Sequence, residues 1–119
     1  MRRSVLAVGA AVVLSAAAFH LSLVSAIPGK GETLASAPSR VTLTFSATVN
    51  VRVSAISILA PDSTEVAKLV PRAAAKSTVV EADVPRRLPS GRYIVRWRTA
   101  AADGHVIRGS YGFTINPVE

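Results

Sequence analysis

The 119-residue chain has room for one domain, and its lack of cysteine excludes a disulfide scaffold, a thiolate zinc site, an iron–sulfur centre and a cysteine-linked lipid anchor. Fourteen Lys and Arg against seven Asp and Glu give a net charge of +7, which invites a nucleic-acid reading. The pattern refuses that reading: the basic residues are spread along the chain, with no helix-based motif and no base-stacking aromatic platform.

Met1-Arg2-Arg3 is a positive start, and Val5 to Ala18 then runs without charge to the small-residue string Ser15-Ala16-Ala17-Ala18. This predicts a secretory signal peptide, with a retained anchor running on toward Pro28 as the alternative. Cleavage sites after Ala18, Phe19 and Ala26 compete, the first and third obeying the small-residue rule. A cut after Phe19 divides the chain into a signal at 1–19 and a domain at 20–119, and makes His20 the first residue of an exported protein.

Arg40 to Ser46 alternates apolar Val41, Leu43 and Phe45 with polar neighbours, the period of a strand with one buried face. Val51 and Val53, then Ile56 and Ile58, form a β-branched run whose phase slips near Ala55, so a bulge or two short strands are expected. Pro61-Asp62-Ser63 is a turn. Val66 to Val70 and Thr78 to Val84 are further strand candidates, with Arg72 to Lys76 between them as loop or a single helical turn. After the turn at Leu88 to Gly91, Tyr93, Val95 and Trp97 alternate with Arg92, Arg96 and Arg98: one face is large and apolar, the other rich in guanidinium. Val106-Ile107 starts a last strand, bent at Gly109, in which Tyr111, Phe113 and Ile115 point inward. Six or seven short strands with turns about every ten residues predict a two-sheet antiparallel sandwich.

The chemistry is concentrated in two histidines. Asp103-Gly104-His105 sets a carboxylate and an imidazole two residues apart, on one side of an extended segment, with a glycine that lets the backbone bend; the bland alternative is a tight turn. If His20 is the mature terminus, its amine and imidazole chelate a metal ion together. With His105 and Asp103 the set is three nitrogens and one oxygen, which suits Cu(II); the lack of Cys and of any Met beyond Met1 removes the soft donors of Cu(I). Zinc accepts the same donors. No paired carboxylates or catalytic triad are visible, and nucleophilic catalysis has little to work with.

The block from Tyr93 through Trp97-Arg98 to Asp103-Gly104-His105, followed by Gly109-Ser-Tyr-Gly-Phe113, resembles the C-terminal signature of the CopC family of periplasmic copper-resistance proteins. His20-x-x-Leu23, Pro28-x-x-Gly31, Ala37-Pro38 and Val41-Thr-Leu-Thr-Phe-Ser46 follow that family's opening in order and spacing, so the resemblance spans residues 20 to 116. It implies an all-β, immunoglobulin-like Greek-key sandwich of about seven strands that binds one Cu(II) ion at one end through His20, Asp103 and His105. It further implies a non-enzymatic, monomeric carrier or buffer in the periplasm or cell envelope, with a CopD-like inner-membrane copper transport protein as the implied recipient. The methionine-rich Cu(I) site of some members has no counterpart here, and Ala47-Thr48 stand where relatives often carry an acidic residue. Two other readings compete: a histidine-brace copper oxidoreductase, and an immunoglobulin-like interaction module whose histidines are incidental.

Overall fold

The computed structural model describes residues 20–117; the signal-peptide expectation for residues 1–19 lies outside them. The strands are β1 (Leu23–Ile27), β2 (Thr33–Leu34), β3 (Arg40–Phe45), β4 (Ala55–Leu59), β5 (Glu65–Leu69), β6 (Arg72–Ala73), β7 (Val79–Asp83), β8 (Gly91–Ala100) and β9 (Val106–Ile115). They form a four-stranded sheet in the order β1-β3-β7-β6 and a five-stranded sheet in the order β2-β9-β8-β4-β5. Because β3 pairs with β7 and β4 with β8, the chain crosses between sheets instead of meandering within one. The expected β-sandwich is present, and its seven strands of five or more residues match the expected number.

Alternation builds the core. Val41, Leu43 and Phe45 of β3 are all buried, as are Tyr93, Val95 and Trp97 of β8, while Arg92, Arg96 and Arg98 face outward. Phe45 meets Trp97 edge to face across the two sheets, ring centroids 5.2 Å apart and planes at 70°. Ile56 and Ile58 of β4 and Phe113 and Ile115 of β9 close the same layer.

Local details differ from the sequence expectation at four places. Val51–Val53 is a short 3-10 helix, not a strand: the Asn50 side chain accepts a hydrogen bond from the Arg52 N–H, and the Ser54 N–H donates to the Val51 carbonyl. The apparent slip of phase is therefore the boundary between this turn and β4. Arg72–Ala73 is a two-residue strand, held by pairing with Glu81 and Val80 of β7. The β2–β9 pair is parallel, so the sandwich is not purely antiparallel. Finally, Gly109 does not bend β9, which runs for ten residues against β8; the glycine serves packing instead.

Candidate metal centre

β8 and β9 form a long hairpin whose last rung pairs Ala100 with Val106. The turn beyond it is closed by its own backbone: the Ala101 N–H donates to the His105 carbonyl, and the Gly104 N–H to the Ala101 carbonyl, each at 2.9 Å. Gly104 has φ of +94°, a conformation that costs a residue with a Cβ, so glycine is the residue that lets the loop turn here.

This turn brings Asp103 and His105 together. One Asp103 oxygen, Oδ1, accepts the His105 backbone N–H at 3.0 Å, and the other, Oδ2, lies 2.9 Å from His105 Nδ1. The backbone N–H, followed by the imidazole, holds the Asp103 carboxyl below the usual carboxylate range. Both side chains stand in solvent, 65% exposed for Asp103 and 84% for His105. When Nδ1–H donates to the carboxylate, a neutral imidazole keeps its lone pair on Nε2, directed away from Asp103. A carboxylate that fixes ring and tautomer in this way prepares a histidine to ligate a metal through its other nitrogen.

The chain just after His20 is tied to this end of the sandwich. Two residues on, the Ser22 N–H donates to Ser46 Oγ at 3.0 Å, and the Ser46 N–H donates back to the Ser22 carbonyl at 2.9 Å. The segment that starts at Ser46 then runs to the foot of the β8–β9 turn, where Val49 bridges Ala101 and the Asn50 N–H donates to the Ala100 carbonyl at 2.9 Å. One short connection thus ties the start of the described chain to the Asp103–His105 turn. The structure joins Asp103 to His105 directly but does not gather His20 with them: among the described residues, no three His, Cys, Asp or Glu side chains form a metal-holding group. The sequence reading also missed that both Asp103 oxygens are engaged by His105, although an aspartate two residues before its hydrogen-bonded partner is the pattern of an Asx turn.

The CopC domain model matches residues 23–116, almost all of the described chain. The chain belongs to the CopC family. Copper resistance protein C of Escherichia coli is 32% identical over 106 residues, covering 81% of each chain, and Copper resistance protein C of Xanthomonas campestris pv. juglandis is 32% identical over 115 residues, covering 89% of this chain and 88% of the relative. The crystal structure of CopC from Methylosinus trichosporium OB3b superposes with a TM-score of 0.78 at 35% identity, covering 84% of this chain and 97% of that one. PcoC from Escherichia coli, described as a methionine-rich copper resistance protein, superposes with a TM-score of 0.71 at 28% identity, covering 82% of this chain and 100% of its own. This CopC chain contains a single methionine, Met1.

Proposed function

We propose that this CopC protein is an exported copper-binding protein of the copper-resistance class that carries or buffers one Cu(II) ion in the periplasm. The family supports copper as the cargo. The oxidised ion is favoured by the donors: imidazole and carboxylate stand at the tip, and apart from Met1 the chain has no sulfur, unlike methionine-rich PcoC.

The observation that carries the reading is the exposed Asp103–His105 pair, with one imidazole nitrogen held by carboxylate and the other free. In the proposed site, His105 binds through Nε2, and the Asp103 carboxylate, which holds Nδ1 in the metal-free form, adds a negative charge and gives the ion an oxygen only by releasing that hydrogen bond. His20 adds its imidazole and, where cleavage follows Phe19, its terminal amine. Binding requires these nitrogens to be unprotonated, so copper is released as pH falls through about 8 to 5, the range in which free amines and imidazoles take up protons.

Carriage rather than catalysis is supported by the aromatic residues. All five within the described region, Phe45, Tyr93, Trp97, Tyr111 and Phe113, are buried, so none offers a flat surface to a polymeric substrate of a copper oxygenase. The recipient we propose is a CopD-like inner-membrane copper transport protein, met by a CopC monomer; nucleic acid has no place in this scheme.

Competition titration of Cu(II) against a chelator, with wild type and His105→Ala, tests the site. Loss of the imidazole is expected to weaken binding severely, and copper at a thousandfold excess over its dissociation constant is expected to stabilise the wild-type fold by about 4 kcal/mol. An unchanged affinity in His105→Ala refutes the site.

A further inference from the structure

The two sheets handle their charges in opposite ways. In the four-stranded sheet the charged residues are Arg40, Arg72, Glu81 and Asp83, and all are paired: Arg40 Nε to Asp83 Oδ1 at 3.4 Å, Arg72 Nη1 to Asp83 Oδ2 at 3.1 Å, and Arg72 Nη2 to Glu81 Oε1 at 3.5 Å. The five-stranded sheet carries Lys68, Arg92, Arg96, Arg98 and Arg108 against a single carboxylate, Glu65, which accepts a hydrogen bond from the Ser57 hydroxyl at 3.2 Å. Among the described residues, none of those five cations forms an ion pair.

Register sharpens the contrast. Arg98 stands directly opposite Arg108 on the β8–β9 ladder, and Arg96 opposite Ser110 and Ser57, all on the outward face. Like charges placed directly opposite one another on neighbouring strands destabilise the sheet. The fold gains nothing from this pair, which points to a use outside the fold. The flanking side chains are short: with Ala55, Ser57 and Ser110 between them, Arg96, Arg98 and Arg108 rim a depression of about 510 Å³. This depression runs toward the metal end, since the Arg98–Arg108 rung lies two residues from the Ala100–Val106 rung where the Asp103–His105 turn begins, about 7 Å along the strand.

We propose that this basic face docks an acidic segment of a partner protein and thereby places that partner beside the metal-binding turn. Guanidinium forks grip carboxylates with two parallel hydrogen bonds, and short side chains around them leave room for the partner's Asp and Glu to enter. A concave face suits a protein segment better than a bilayer surface, which would be engaged by projecting apolar anchors; Val106 is the one large apolar side chain exposed on these five strands. The partner's role in receiving or giving copper rests on the function proposed above, whereas the docking itself does not.

A synthetic octaglutamate peptide, titrated at low ionic strength against the exported protein, tests the face. Trp97, the only tryptophan of the chain, lines the depression and supplies a fluorescence signal. The double variant Arg98→Thr with Arg108→Thr keeps strand-forming residues and removes the opposed charges, and its peptide affinity is expected to fall about tenfold. The control Lys76→Ser with Arg87→Ser removes the same charge elsewhere on the surface and is expected to change affinity by less than about twofold. A melting temperature no lower than wild type in the Thr pair would show that the arginines do not serve the fold. The proposal is overturned if the peptide shows no saturable binding, if both double variants weaken it equally, or if phosphatidylglycerol vesicles bind through Arg98 and Arg108 while the peptide does not. Copper titration of the same proteins separates the two ideas: peptide binding without any copper-induced rise in melting temperature would refute the copper reading and leave the docking face standing.

Discussion

Trp97 and Gly109 face each other on one rung of the β8–β9 ladder, and the indole occupies the space that a side chain at 109 would need: its Cε2 atom lies 2.7 Å from where a Cβ would be placed. The ring cannot readily give way, because its other side meets Phe45 of the opposite sheet. Gly109→Ala therefore overpacks the core, at an expected cost of about 1–3 kcal/mol. This outweighs the roughly 0.5–1 kcal/mol that alanine gains over glycine in backbone entropy. Thermal unfolding followed by circular dichroism should show a drop of several degrees, and an alanine variant that melts with the wild type would show that the indole is free to move.

Two rungs along, Tyr111 presents the reverse case. Its hydroxyl is buried with no hydrogen-bond partner, and burial pushes the phenol well above its usual range. A buried hydroxyl left unbonded costs about 1–3 kcal/mol, so Tyr111→Phe is expected to unfold at the same temperature as wild type or higher. A clear fall in melting temperature would mean that the hydroxyl is bonded in solution.

The paired charges of the four-stranded sheet give the fold an acid-sensitive element. A hydrogen bond from Arg72, helped by Arg40, holds the Asp83 carboxyl below its ordinary value of 3.8. A carboxyl lowered in the folded state adds stability that is fully present above the unfolded value and is lost as pH falls through the folded one. Asp83→Asn should thus lower the melting temperature slightly at neutral pH, the effect being small because the groups are exposed. The difference should shrink as pH falls below 3.8 and vanish once the folded form too has taken up the proton. A gap that persists in acid would assign the effect to packing.

The buried faces were legible wherever alternation was strong, as in Val41, Leu43 and Phe45, or Tyr93, Val95 and Trp97, because each inward position lacks a polar alternative. Asp103-Gly104-His105 was legible as a chemical unit, since its contacts are local in sequence. Non-local determinants were hidden. Val51 and Val53 look like strand residues until the Asn50 side chain is seen capping a 3-10 turn, and Arg72–Ala73 becomes a strand only through Glu81 and Val80 of β7. Gly109 looked like a bend because its partner, Trp97, is twelve residues away in sequence. For the same reason Arg92, Arg96 and Arg98 could be read as one basic strand face, while the opposition of Arg98 and Arg108 required the register.

The division of labour within the turn can be tested at Asp103. Its Oδ1 accepts the His105 backbone N–H and its Oδ2 holds Nδ1, so removing the whole side chain would confound loop geometry with metal chemistry. Asn keeps an oxygen acceptor and nearly the same shape but removes the negative charge. Asp103→Asn is therefore expected to retain the fold and to weaken copper binding about 10–100-fold, the loss typical when the carboxylate that supports a metal-binding histidine is replaced. His105→Ala, which removes the nitrogen donor itself, should lose more. Competition titration of the two variants side by side decides the matter: copper affinity unchanged in Asp103→Asn would remove the carboxylate from the proposed site while leaving the imidazole in place, because a charged donor or orienting group cannot be neutralised without altering the ion's binding energy.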